Sequence, residues 1–272
     1  MRINTNLNAL TALNQSTKNT ALAGNSMNKL SSGLRINQAG DDAAGLAISE
    51  KMRAQIRGME QADRNVQDGV SLAQTAEGAL EEAGNIVQRM RELSVQGGNE
   101  TLSTEDRTKI ETELTQLTEE IEKISEETKF NGSTLLNSAG KTSFEIQAGA
   151  NSESRTITTI QLNTEVAKLT ADNLTVSDKT KSNALTAELD TLLGTINTGR
   201  ATLGAQQNTL EATSSNLTTS TENLTAAESR IRDVDVAKEM MNLSKLNLLN
   251  QASQAMMMQA KSQPEGVMQL LR

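Results

Sequence analysis

Seven aliphatic residues, Leu189, Ile196, Leu203, Leu210, Leu217, Leu224 and Ile231, recur at intervals of seven without a slip. A strict repeat of this kind marks a helix that buries one narrow stripe against a helical partner and supercoils around it with a left hand. Three residues after each of the first six come Leu192, Gly199, Gln206, Thr213, Ser220 and Ala227, so the second seam position turns small or polar along the chain. At 1.5 Å per residue, the 42 steps from 189 to 231 predict a rod of about 63 Å, well beyond the width of a compact domain.

The first half carries a matching stripe in Met52, Ile56, Met59, Ala62, Val66, Val70, Ala73, Ala76, Leu80, Ala83, Val87 and Met90. Its mean step is about 3.45 residues, again on the left-handed side of the α-helical period. A third helix is predicted after the glycine pair Gly97-Gly98. Ser103 stands as N-cap before Glu105 and Asp106, and Ile110, Leu114, Leu117, Ile121 and Ile124 follow in steps of four and three. Between about 130 and 182 the period changes, with a hairpin region at about 136–182. Asn131-Gly132 is a turn signal, Ser143 to Gln147 alternates, and Thr156 to Leu162 is rich in β-branched residues, which predicts a small β-hairpin with irregular turns that lies on the helices. One proline in 272 residues leaves nearly the whole chain free to be helical.

The two ends read as weaker amphipathic helices. Ile3, Leu7, Leu10, Leu13, Leu22, Leu30 and Leu34 mark the first, and Val236, Met240, Leu243, Leu246, Leu249, Met256, Val267, Leu270 and Leu271 mark the last. Neither stripe has an evident intramolecular core to receive it, and ordering costs about 1–2 kcal/mol of backbone entropy per residue. Disordered ends in the isolated molecule, satisfied on other copies of the same chain, are therefore expected, with pairing of the two ends inside the monomer as the alternative; such a pair of thin helices would still lack a third wall.

Composition excludes several classes of chemistry. With no His and no Cys, the usual zinc sites, haem ligation, Cys nucleophiles and His-based triads cannot be built, and neither a cofactor nor a metal is expected. Gly140-Lys141-Thr142 resembles the end of a phosphate-binding loop, but Leu135 stands where that motif needs its first glycine. A net charge of −8, two Phe and no Trp or Tyr argue against nucleic acid. No stretch approaches the roughly 18–20 apolar residues that span a bilayer, and the polar start is unlike a signal peptide. The pattern predicts a structural, non-enzymatic protein.

A resemblance sharpens this. Leu30-Ser-Ser-Gly-Leu-Arg-Ile-Asn37 and Ala39-Gly-Asp-Asp-Ala-Ala-Gly-Leu-Ala-Ile-Ser49 closely resemble the N-terminal signature of the bacterial flagellins. Gln74 to Leu80, Gln88 to Gln96, Phe130-Asn-Gly132, Asn223 to Asp235, Gln251 to Met256 and Gln269 to Arg272 are similar to the same family, whereas 136–184 matches only loosely. The resemblance implies an exported subunit of the flagellar filament used for swimming. It implies a mainly α fold: residues 1–36 plus 234–272 as an inner, D0-like terminal helical pair, and 37–233 as a surrounding, D1-like antiparallel coiled-coil rod with the hairpin. The middle is too short for the outer domains that many relatives carry. Hook-filament junction proteins share this architecture and are the runner-up. A coiled-coil signalling hairpin would need a helical tip where Phe144, Ile146, Ile157 and Ile160 show strand-like spacing.

The resemblance also assigns residues. Inner-layer assembly falls to Ile3, Leu7, Leu10, Leu13, Leu30, Leu34, Met240, Leu243, Leu246, Leu249, Met256, Leu270 and Leu271. A spoke between the layers, expected to be held by ion pairs, contains Arg35, Asp41, Asp42, Arg230 and Arg232. The heptad leucines and isoleucines form the rod seam, and sliding at its small and polar residues, Gly199 to Ala227, is expected to permit supercoil switching. Gln88, Arg89 and Leu93, with Glu113, match a patch recognised by a vertebrate innate receptor. Implied partners are further copies of the chain, an export chaperone on about 236–272, and the filament cap and hook-junction proteins. Export without a cleaved leader to an extracellular filament is implied as well.

Overall fold

The computed structural model describes residues 6–137, 140–169 and 174–270, with side chains as far as 262. The elements run α1 (Leu7–Ser32), α2 (Ala43–Gly97), α3 (Thr104–Glu127), β1 (Lys129–Phe130), β2 (Ser133–Thr134), β3 (Ser143–Gln147), β4 (Ser154–Thr158), α4 (Leu162–Val166), α5 (Lys179–Arg232) and α6 (Val236–Leu270). Two compact units result, one of residues 1–55 with 222–272 and one of 56–221, and both α2 and α5 pass from one unit to the other. The mainly helical architecture with a small hairpin region is as expected.

The unit of residues 56–221 owns the main core. Val66, Ala73, Ala76, Leu80, Ala83, Val87 and Met90 of α2 bury against Leu185, Leu189, Leu192, Ile196, Leu203 and Leu210 of α5, and α3 adds Ile110, Leu114 and Ile121. Burial on α5 follows the heptad and then fades: Leu189 to Leu210 are buried, while Leu217 is only half-buried. α3 starts where the capping signal predicts. Ser103 Oγ accepts from the Asp106 amide at 3.2 Å and donates to the Asp106 carboxylate at 2.7 Å.

Asn131 and Gly132, with φ of 48° and 79°, form the two-residue turn between β1 and β2. Two positive φ values are what the right-handed twist of flanking strands demands, and Asn-Gly is the pair that tolerates them. β3 and β4 form the expected antiparallel hairpin, with Phe144 opposite Ile157. The β-branched run extends to Leu162, but the strand stops at Thr158. Leu162 and Val166, four apart, instead bury on one face of α4, where irregular turns were expected. The hairpin is seated on glycines. A Cβ on Gly69 of α2 would stand 3.1 Å from Ile146, and one on Gly199 of α5 would stand 3.0 Å from Ile160.

In the other unit, α1 and α6 lie antiparallel, tied by Asn6 to the carbonyl of Ala260 (2.6 Å), Thr20 to Asn250 (3.4 Å) and Asn242 to Ser26 (3.5 Å). The expectation that the ends have no partner within the chain is therefore corrected for the described residues: both are helices, and each finds its neighbour in the other. What the apolar stripes concealed is that the helices meet through small side chains.

The graded burial of the heptad predicts graded stability. Leu189→Ala should cost about 2–5 kcal/mol and Leu217→Ala clearly less, read from the denaturant midpoint followed by helical circular dichroism. Equal losses would contradict the observed burial.

Candidate assembly surfaces

On α1 the residues turned toward α6 are Ala9, Ala12, Ser16, Asn19, Ala23, Ser26 and Leu30, an unbroken alternation of three and four. On α6 the matching row is Glu239, Leu243, Leu246, Asn250, Ser253, Met257 and Ala260. This is a coiled-coil seam filled largely with small and polar groups. Leu30, Leu243, Leu246 and Met257 are the large apolar members of the seam, and the others lie elsewhere: Leu7, Leu10 and Leu13 are 60%, 50% and 48% exposed, and Met240, Leu249 and Met256 are exposed as well. Of the thirteen inner-layer residues named from sequence, Leu246 is buried, and Leu30, Leu34 and Leu243 are half-buried. Ile3, Leu271 and the side chain of Leu270 lie outside the described residues. On α6, Met240, Met241, Ser244, Lys245, Leu248, Leu249 and Ala252 line a shallow apolar groove. A contiguous exposed apolar surface on a protein marks a place where something docks.

The segment between α1 and α2 meets the junction of α5 and α6 in a short crossover. Gly33, left-handed at φ 72°, ends α1, and the chain then runs antiparallel to 231–234. The Arg35 amide donates to the carbonyl of Arg232 at 2.6 Å, and the Val234 amide to that of Gly33 at 3.0 Å. The Arg35 guanidinium donates to the Ile231 carbonyl at 2.5 and 3.2 Å. Ile36 is buried beneath.

The ion pairing differs from the expected one. Asp41 accepts the amides of Asn37 and Gln38, and Asp42 accepts that of Gly45, so both aspartates fold their own loop. Among the described residues neither pairs with an arginine. Arg232, with a side chain only 12% exposed, reaches Glu50 of α2 at 2.6 Å. Glu50 was not singled out from sequence, because 182 residues separate it from Arg232. Arg230 is exposed. The Arg232 guanidinium holds the Glu50 carboxyl below the usual glutamate range, and the amides of Asn37 and Gln38 do the same for Asp41.

Of the named rod-seam residues, Leu189, Ile196, Leu203 and Leu210 are buried and Leu217, Leu224 and Ile231 half-buried. Two of the small and polar positions expected to slide are engaged. Gly199 receives Ile160, and Gln206 accepts the amide of Thr158 at 3.1 Å, so both seat the hairpin.

On the surface of α2, Arg89 bridges Glu113 of α3 at 3.0 Å and Glu92 at 3.3 Å, and hydrogen bonding to Glu113 raises the guanidinium pKa further. Gln88 is exposed beside it, whereas Leu93 is 2% exposed and supports the patch from within the core. No cluster of metal-ligating side chains occurs among the described residues, and none of their helices is long and apolar enough to cross a membrane.

Residues 3–141 match the bacterial flagellin N-terminal helical region, and residues 186–271 the C-terminal one. The chain is 52% identical to a flagellin of Halalkalibacterium halodurans and 47% identical to one of Bacillus subtilis, each over the full length of both chains. It is 44% identical, also over both full lengths, to a flagellar filament 33 kDa core protein of Treponema phagedenis. The crystal structure of Bacillus cereus flagellin superposes with a TM-score of 0.52 at 33% identity, covering 61% of this chain and 94% of that one. A putative flagellar hook-associated protein from Vibrio parahaemolyticus shares the fold at a TM-score of 0.61 and 12% identity, over 71% of this chain and all of that one.

The crossover carries a pH prediction. Carboxylates whose pKa is lowered by folding stabilise fully above their unfolded values, here 4.5 for Glu50 and 3.8 for Asp41, and that contribution disappears as pH falls through the folded values. Hydrogen-exchange protection of the Arg35 and Val234 amides should therefore drop on acidification below that window. Glu50→Gln should lower protection at neutral pH and shrink the acid step, and an unchanged profile would contradict the role of the pair. The effect should be modest, because Glu50 is exposed to solvent.

Proposed function

From the premise that this chain belongs to the bacterial flagellin family and is a structural subunit of the flagellar filament, we propose how its parts divide the work of polymerisation. Residues 1–36 and 234–272 form the inner layer, and 37–233 the surrounding rod. The observation that carries this is the placement of side chains on the terminal pair: small and polar residues make up most of the α1–α6 seam, beside Leu30, Leu243, Leu246 and Met257, while Leu7, Leu10, Leu13, Met240, Leu249 and Met256 point away from it. Fully burying one such side chain is worth about 1.5–3 kcal/mol. Neighbouring copies of the chain supply that burial, and many modest contacts per subunit add up along the polymer.

The exposed groove of α6 also supports a chaperone site on residues 236–272. Its methionines are flexible and polarizable and suit repacking from one partner to another. Contacts with the filament cap and hook-junction proteins, and export to the cell exterior without a cleaved leader, follow from the family reading. For a vertebrate innate receptor, the accessible part of the patch is Gln88, Arg89 and Glu113, with Leu93 holding α2 in place beneath. Arg89→Ala should weaken the receptor response of the soluble chain, and an unchanged dose-response curve would remove Arg89 from the site.

Elongation from sheared filament seeds tests the division of labour. Removal of residues 1–36 should abolish elongation while the helical signal of the rod persists. Leu10→Asp, which leaves the α1–α6 seam intact, should slow elongation by about tenfold or more, since one lost leucine contact exceeds 1.4 kcal/mol. Wild-type elongation by the truncated chain would overturn the proposal.

A further inference from the structure

The methionines divide by exposure between the two units. Met59 and Met90 are buried in the larger one, at 9% and 0% exposure. Met240, Met241, Met256 and Met258 of α6 are between 51% and 68% exposed, and Met27 of α1 is exposed too. Met52 and Met257 are half-buried, so among the described residues every exposed methionine lies on the terminal pair. Met240 and Met241 line the shallow groove of α6 together with Leu248 and Leu249, and Met256 lines a second groove between α1 and α6. On α1 the exposed large apolar side chains are, apart from Met27, the leucines Leu7, Leu10, Leu13 and Leu22.

Leucine and methionine are nearly interchangeable as apolar filler, but only methionine reacts with peroxide. A lone pair of the thioether sulfur attacks one oxygen of hydrogen peroxide. The O–O bond breaks as the S–O bond forms, a proton passes from the transferred oxygen to the departing hydroxide, and water leaves. Sulfur is oxidised by two electrons and the peroxide is reduced by two. The reaction needs contact between sulfur and oxidant, so exposure selects the α6 methionines over Met59 and Met90. The sulfoxide is polar and chiral where the thioether was apolar, a change that disrupts methionine-rich interfaces. Covered by an apolar surface that offers no donor, its oxygen gives up hydrogen bonds to water and gains none.

We propose that Met240, Met241, Met256 and Met258 form an oxidation site that governs assembly: in the free chain they take oxygen from peroxide, and a chain so modified is not added to the filament until its sulfoxides are reduced. The inference rests on the filament reading, since the sulfoxides oppose the covering of these faces by neighbouring copies. In the polymer the same cover keeps the oxidant out, so existing filament persists while growth stops. The leucines of α1 are inert to peroxide, which confines the effect to the α6 side of the pair.

The chain has no cysteine to compete for the oxidant. The full chain is treated with hydrogen peroxide, mapped by peptide mass spectrometry for methionines heavier by one oxygen atom, and offered to sheared filament seeds. Sulfoxide should accumulate at Met240, Met241, Met256 and Met258 while Met59 and Met90 stay intact. Elongation by the oxidised chain should fall by about tenfold or more, the consequence of a buried acceptor left without a donor. It should return after repair by the two epimer-specific methionine sulfoxide reductases, whose dithiol is oxidised to a disulfide as the oxygen leaves in water. The fourfold variant Met240→Leu, Met241→Leu, Met256→Leu, Met258→Leu should elongate equally with and without peroxide, whereas Met27→Leu should remain sensitive. In fibres given the same dose, the four methionines should stay unmodified. The assignment is overturned by undiminished elongation of the oxidised chain, by oxidation of Met90 as fast as of the four, by sensitivity that survives in the fourfold variant or vanishes in Met27→Leu, or by equal oxidation of the four in fibre and free chain. If the fourfold variant does not elongate untreated, the Met27→Leu chain and the repair decide: loss of sensitivity in the first or no recovery in the second overturns it. The untreated wild-type chain separates the two claims. If it does not elongate, the filament reading fails and the assembly block with it, whereas a contrary peroxide result contradicts the oxidation site alone.

Discussion

Apolar side chains on α1 and α6 that face away from each other need a cover their own helices do not supply, and the other features of the terminal unit follow from that constraint. An ordinary two-helix coiled coil turns its leucines inward and its polar residues outward. Here the seam is largely Ala, Ser and Asn, with Leu30, Leu243, Leu246 and Met257 among them, and Leu7, Leu10, Leu13, Met240, Leu249 and Met256 take the outer faces. Small side chains bring the helices together for little burial, so the pair is weakly held by itself and strongly held once its outer faces are covered. This is the balance a subunit needs if it is to pass through a loosely ordered state and become rigid in the polymer.

The larger unit is built on the opposite plan. Its core is continuous along α2, α3 and α5, with the heptad leucines fully buried where the hairpin and α4 add a third wall, and half-buried beyond Leu210. Gly69 and Gly199 give the hairpin close access to the helices, and Gln206 ties its edge at Thr158. A polar residue in a heptad seam usually weakens it. At Gln206 the polar group instead substitutes for a missing strand partner. In the other unit, the crossover joins the segment after α1 to the α5–α6 junction through backbone ladder bonds, the Arg35 guanidinium and the Arg232–Glu50 pair.

Much of this was legible in the sequence because it is periodic. The seven-residue repeat placed α5, the 3.45-residue stripe placed α2, and Ser103 and Asn131-Gly132 marked a helix start and a tight turn that the structure contains. The signature around Leu30 to Ser49 pointed to the family. Other features depend on residues distant in sequence, and local pattern did not reveal them. Glu50 became visible only once the fold brought it to Arg232, and Asp41 and Asp42 proved to cap their own loop. α4 was missed because it is only five residues long and follows directly on the β-branched run from Thr156 to Ile160. The terminal seam was misjudged for a different reason. Hydrophobic periodicity finds leucines, and of those only Leu30, Leu243 and Leu246 fall in the seam, whereas most of the α1 side was written in small residues at steps of three and four from Ala9 to Leu30.

The claim that the terminal pair is completed only by other copies of the chain can be tested by residue-resolved hydrogen exchange on α1 and α6, compared between dilute chain and elongated fibres. The account predicts fast exchange of these amides at dilution, beside a protected core from Val66 to Leu210, and strong protection of both helices in the fibre. Equal protection of α1 and α6 in the two states would contradict it, since the outward leucines would then be no reason to assemble.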